Sequence, residues 1–118
     1  MKLKEVKELL EVEVVLGGDD EQEIGTACGS DLMSDVLAFV KEKTLLLTGL
    51  TNPQVVRTAE MIDLVAIVFV RGKIPPQETI DLAKKKGITL LSTDKSLYET
   101  CGLLYSSGLK AEKLMKLG

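Results

Sequence analysis

Four short loops hold the residues of this chain best suited to chemistry. Residues 29–31 read Gly-Ser-Asp, 48–52 Thr-Gly-Leu-Thr-Asn, 71–73 Arg-Gly-Lys and 92–94 Ser-Thr-Asp. Each has a small residue, a hydroxyl or a cation, and most open directly into a helix N-terminus. Such termini hold unpaired N–H groups and a partial positive charge, so they favour anions. Arg71 and Lys73 add discrete charge, and a guanidinium grips phosphate in bidentate fashion. These groups suit a small phosphorylated ligand. The candidate ligand-binding residues are Ser30, Asp31, Thr48, Gly49, Asn52, Arg71, Gly72, Lys73, Ser92 and Thr93. Each also has a plain structural use. The hydroxyl residues and Asn52 serve as caps or turn formers, the glycines as permissive backbone, and the two cations as solvated charges.

Catalysis has little to work with. The chain has 0 histidines, which excludes a Ser-His-Asp triad, a Cys-His pair, imidazole metal ligands and an imidazole proton shuttle. The 48–52 loop lacks the spacing of a P-loop, and nothing matches G-x-G-x-x-G. Asp31 and Asp35 lie one helical turn apart and would suit Mg²⁺ held through water. The commoner reading is one cap and one surface acid. A Mg²⁺-dependent phosphotransferase using Asp31 or Asp35 as base is therefore an alternative, not the expectation. No catalytic residue, metal ligand or cofactor is expected, beyond Mg²⁺ arriving with a nucleotide. Cys28 and Cys101 belong to no CxxC pair and read as buried small hydrophobes, with one disulfide as the alternative.

The elements that must position these loops follow from pattern. At 118 residues the chain suits one domain with a real core. With 45% hydrophobic and 28% charged residues it reads as a soluble globular protein. A net charge of -3 and only 2 Phe, 2 Tyr and 0 Trp argue against a nucleic-acid partner. The charged opening residues are unlike a signal peptide, and no apolar run reaches membrane-span length, so the cytoplasm and no membrane contact are expected.

Residues 2–10 predict a short helix. The β-branched run 12–16 predicts a strand, and residues 24–28 a second, with the turn Gly17-Gly18-Asp19-Asp20 between them. A helix follows from Ser30 or Asp31 to about residue 41, with Leu32, Val36, Phe39 and Val40 as its apolar face. Strands at 45–47, 65–70 and 88–91 then alternate with helices. Asn52 caps one helix, with Pro53 at its first position. Pro75-Pro76 starts the next, which carries Lys84, Lys85 and Lys86 in its last turn and ends at Gly87. The loop at 92–94 caps a final helix over about 95–107. This β-loop-α repetition predicts an α/β fold, a mostly parallel sheet of about five strands with helices on both faces. The first strand is expected to pair antiparallel, since a turn joins it to the second. Ligand binding is expected at the carboxyl ends of the parallel strands, near a topological switch point.

Two stretches resemble the DRTGG domain family. One is Ala27-Cys28-Gly29-Ser30-Asp31-Leu32-Met33-Ser34-Asp35-Val36-Leu37, followed by Leu47-Thr48-Gly49-Leu50-Thr51-Asn52-Pro53-Gln54. The other is Ile67-Val68-Phe69-Val70-Arg71-Gly72-Lys73-Ile74-Pro75, followed by Ile88-Thr89-Leu90-Leu91-Ser92-Thr93. Thr48 and Gly49 match the family's Thr-Gly-Gly only in part, its Asp-Arg pair is absent, and Gly72 and Pro75 match in the second loop. The resemblance implies one domain over residues 1–108, with 109–118 a short amphipathic tail. It implies a scaffold like the N-terminal domain of HPr kinase/phosphorylase, found alone or beside CBS domains in regulated pyrophosphatases, where the regulatory region responds to adenine nucleotides. It also implies that Thr48, Gly49, Gly72 and Thr93 line the edge crevice.

Together these readings predict a non-catalytic regulatory module that senses a small phosphorylated ligand. A homodimer or a partner protein would carry the signal. The alternative is an oligomerising scaffold using Leu103, Leu104, Tyr105, Leu109, Leu114 and Leu117.

Overall fold

A computed structural model describes residues 1–39 and 42–111. The elements are α1 (Leu3–Leu10), β1 (Glu13–Leu16), β2 (Thr26–Gly29), α2 (Met33–Phe39), β3 (Glu42–Thr48), α3 (Pro53–Met61), β4 (Asp63–Phe69), α4 (Gln77–Lys86), β5 (Thr89–Ser92) and α5 (Leu97–Ser106). The sheet runs β1-β5-β4-β3-β2. β2, β3, β4 and β5 are parallel, and β1 joins β5 antiparallel.

The α/β class and the five strands agree with the sequence reading; the sheet itself is mixed. β1 is antiparallel as expected, but its partner is β5. The turn at 17–20 does not close a hairpin, and β1 and β2 occupy opposite edges. The parallel strands follow one another in sequence order, so the crossovers never reverse direction. There is consequently no switch point between parallel strands of the kind expected. A crossover of one hand repeated in one direction also lays every crossover helix on one face. Val36 of α2, Val55, Val56 and Ala59 of α3 and Ala83 of α4 share one core with Leu46, Ile67, Phe69 and Leu90. The opposite core holds Leu3, Val6 and Leu10 of α1 and Leu104 of α5, against Leu45, Leu47, Ala66, Val68 and Leu91. Helices do cover both faces, but the second layer comes from the two helices outside the crossovers.

The central strands are apolar on both faces because both faces are covered. Leu45 and Leu47 point into one core and Leu46 into the other. Full burial of each such side chain contributes about 1.5–3 kcal/mol. Leu104 and Leu109, suggested for an oligomer surface, are buried within this core. Leu114 and Leu117, with the rest of the tail from 112 on, lie outside the described residues. So do Val40 and the side chain of Phe39. Val36 carries the burial of α2, and Leu32 is exposed ahead of it.

Chain ends of elements move by a few residues for local reasons. Pro75 precedes another proline and is driven extended, so α4 starts at Gln77 with Pro76 as its cap residue. Gly87 closes α4 in the left-handed conformation at φ 69°. The helix after β5 starts later than expected, because Ser96, not residues 92–94, caps it by accepting the Glu99 N–H. Cys28 and Cys101 are both free and half-buried. They pack against opposite cores, and burial pushes both thiols upward in pKa.

Candidate functional site

Register decides which loops meet. Gly29 is level with Leu47, Thr48 with Phe69, and Phe69 with Ser92. The ladder continues past the strand ends, through Ser30 N–H to Leu47 O, Val70 N–H to Thr48 O and Thr93 N–H to Phe69 O. The four loops named above therefore leave the same edge side by side.

Five of the ten candidates converge there, around Gly49. Asp31 Oδ1 accepts the Gly49 N–H at 2.7 Å and the Thr48 hydroxyl at 2.9 Å. Thr48 Oγ1 in turn accepts the Leu50 N–H at 3.1 Å. Lys73 Nζ donates to Gly49 O at 3.0 Å. A Cβ on Gly49 would stand 2.5 Å from an Arg71 guanidinium nitrogen and 3.5 Å from Asp31 Oδ2. Glycine is thus what lets the guanidinium and the carboxylate lie over the backbone. The Gly49 N–H holds the Asp31 carboxyl below its usual pKa, and the Thr48 hydroxyl and the charges of Arg71 and Lys73 act the same way.

Arg71 is positioned at a conformational cost. Its φ is 60° and that of Gly72 is 68°, and Lys73 N–H returns to Val70 O. Positive φ at both central residues is the requirement of a type I′ turn. Left-handed backbone costs a non-glycine residue roughly 1–2 kcal/mol. Two bonds hold the turn: Arg71 N–H to Lys95 O and Gly72 N–H to Thr93 O, both 2.8 Å. Strain imposed by surrounding structure in this way is common at functional sites.

The other candidates have structural work. Ser92 Oγ donates to Lys73 O and Thr93 Oγ1 to Leu10 O, both from buried side chains. Asn52 caps α3 through the Gln54 N–H, as expected. Ser30 accepts the Leu32 N–H just ahead of α2. Asp31 is not the cap that its position suggested; it reaches across to the loop after β3. Residue type gave no sign of that reach, since a loop Asp beside a helix start usually caps. Among the described residues, no three His, Cys, Asp or Glu side chains gather as a metal site, and no helix is long and apolar enough to cross a membrane.

The larger hollows lie elsewhere. One of about 520 Å³ opens at the other end of the sheet, lined by Lys43, Glu60, Asp63 and Lys86 among others. A second of the same size lies along α5, between Tyr98, Gly102 and Tyr105. Volume favours these, while convergent polar groups favour the Gly49 edge; an anion is held by donors and charge, so the edge remains the better candidate.

No family model and no curated protein matches the chain. Its fold does match a solved structure. The CBS and DRTGG domains of the regulatory region of Clostridium perfringens pyrophosphatase, complexed with the activator diadenosine tetraphosphate, superpose with a TM-score of 0.69 at 17% identity. The match covers 95% of this chain and 51% of that one, so this chain spans about half its length. At that identity the likeness to this CBS and DRTGG region is one of fold alone.

Proposed function

We propose that this chain is a non-catalytic regulatory module that binds a small phosphorylated ligand at the carboxyl edge of its sheet. Adenine nucleotides are the first class to test, with or without Mg²⁺. The observation that carries this reading is the gathering of Arg71, Lys73, the Thr48 hydroxyl and the Gly49 N–H on one edge. Those groups hold an anion and offer no nucleophile or tuned base to transform it. The neighbouring fold belongs to a regulatory region crystallised with a nucleotide activator, which supports the same class. Signal passes through a homodimer or a partner protein.

A thermal-shift panel of AMP, ADP, ATP, diadenosine tetraphosphate, acetyl phosphate and pyrophosphate tests it. A ligand at 100 times its Kd stabilises by about 2.7 kcal/mol. The expected result is a response to at least one compound that Arg71→Ala abolishes while unliganded stability holds. Silence across the panel would refute ligand sensing. Ligand breakdown that Asp31→Asn removes would make the chain an enzyme instead.

A second reading, an oligomerising scaffold, has one observation in its favour. Tyr98 is 90% and Tyr105 57% exposed on α5, beside the hollow at Gly102. Light scattering of Tyr98→Ser against the parent chain decides whether that face holds two copies together.

A further inference from the structure

The donors at the Gly49 edge already surround an oxyanion, and that oxyanion belongs to the protein. Asp31 Oδ1 takes both the Gly49 N–H and the Thr48 hydroxyl. Its Oδ2 and the Arg71 guanidinium overhang the same glycine. A phosphate group seeking these donors must meet Asp31 first.

The carboxylate is free to leave. Asp31 is exposed, and the start of α2 does not depend on it. Ser30 Oγ takes the Leu32 N–H, while Leu32 O receives the Asp35 and Val36 N–H groups. Two cations face the one carboxylate, and among the described residues neither Arg71 nor Lys73 is in an ion pair. A phosphate brings more charge and more acceptor oxygens to this cluster than a carboxylate does.

We propose that Asp31 is a built-in competitor for the anionic ligand. Ligand phosphate displaces its carboxylate from Gly49 and Thr48. The proposal rests on the edge-site reading and adds the displacement to it. Two consequences separate it from a plain binding role for Asp31. Removing the carboxylate strengthens anion binding, and removing another surface acid nearby leaves it unchanged.

Isothermal titration with inorganic pyrophosphate tests this on the parent chain, Asp31→Ala, Asp31→Asn and Asp35→Ala. Asp31→Ala is expected to bind about tenfold more tightly than the parent, equivalent to about 1.4 kcal/mol. Asp31→Asn falls between them, because an amide oxygen still accepts from Gly49 but carries no charge. Asp35→Ala matches the parent, and Arg71→Ala within the Asp31→Ala background loses binding. Equal affinity in the parent and Asp31→Ala overturns the competition and leaves the edge site standing. Weaker binding in Asp31→Ala makes the carboxylate a ligand contact and overturns it as well. No binding in any variant overturns both the competition and the site beneath it.

Discussion

Two loops at one sheet edge use the same residue types in opposite ways. At the end of β3, buried Thr48 gives its hydroxyl to Asp31, an exposed side chain. After β5, buried Thr93 gives its hydroxyl to Leu10 O at 2.7 Å, a backbone carbonyl 83 residues away. The first bond ends on a group that can turn to solvent or yield to a ligand. The second ends on backbone that cannot move without α1. Chemistry is available where the partner is replaceable, and the hydroxyl itself does not tell the two cases apart.

Breaking the fixed side has the largest effect. Thr93→Val keeps the shape and leaves Leu10 O without its buried donor, which costs about 1–3 kcal/mol. Chemical denaturation should show that loss, and anion affinity should stay the same. A loss below about 0.5 kcal/mol, the scale of an ordinary surface change, would mean Thr93 is no anchor.

Thr48→Val tests the yielding side. Asp31 can turn to water, so the expected loss is about 0.5–1.5 kcal/mol, chiefly from the Leu50 N–H. Pyrophosphate binding should change with it. If Thr48→Val destabilises as much as Thr93→Val, the contrast between the loops fails.

Arg71→Gly separates stability from binding within one residue. Glycine accepts φ near 60° without the Cβ penalty, though it loosens the unfolded chain. The net expectation is a gain of about 0.5–1 kcal/mol in unliganded stability with loss of anion binding. A fall in stability would show that the Arg71 side chain supports the fold.

Much of this was legible beforehand, and the failures share a cause. The triplet at 45–47, apolar on both faces, marked a buried strand, and Asn52-Pro53 marked a helix start, because local patterns report local structure. The partner of β1 did not show, since β5 lies some 75 residues away and no local rule pairs them. The position of the edge loops followed from strand polarity alone. Which of their residues meet did not follow, because register and long side-chain reach decide it. Ser30-Asp31 and Ser92-Thr93-Asp94 look alike on paper, yet Asp31 crosses to Gly49 while Ser92 and Thr93 turn inward. Burial of the residues themselves separated them, since Ser92 and Thr93 are buried and Asp31 is exposed, and that is a property of the assembled sheet.

The smallest expected effect is in pH, and it bears on the same contrast. The folded-state pKa of Asp31 is depressed, first by the Gly49 N–H, from an unfolded value of about 3.9. A depressed carboxyl contributes stability that is fully present above the unfolded value and fades as pH falls through the folded one. The contribution of Asp31 is therefore flat at neutral pH and disappears only in acid, below about pH 3.9. Glu21 titrates downward in the same region through Lys2 and Lys4, so the parent curve alone does not isolate Asp31. The difference between parent and Asp31→Asn does. That difference should narrow on acidification, and it should be small throughout because Asp31 is exposed and solvent screens it. The difference between parent and Thr93→Val has no titrating group in its hydrogen bond and should not narrow with it. If the Asp31→Asn difference instead stays constant as the pH falls well below the unfolded value, the Gly49 contact is not held by charge. A contact indifferent to charge would offer a phosphate no advantage over the resident carboxylate.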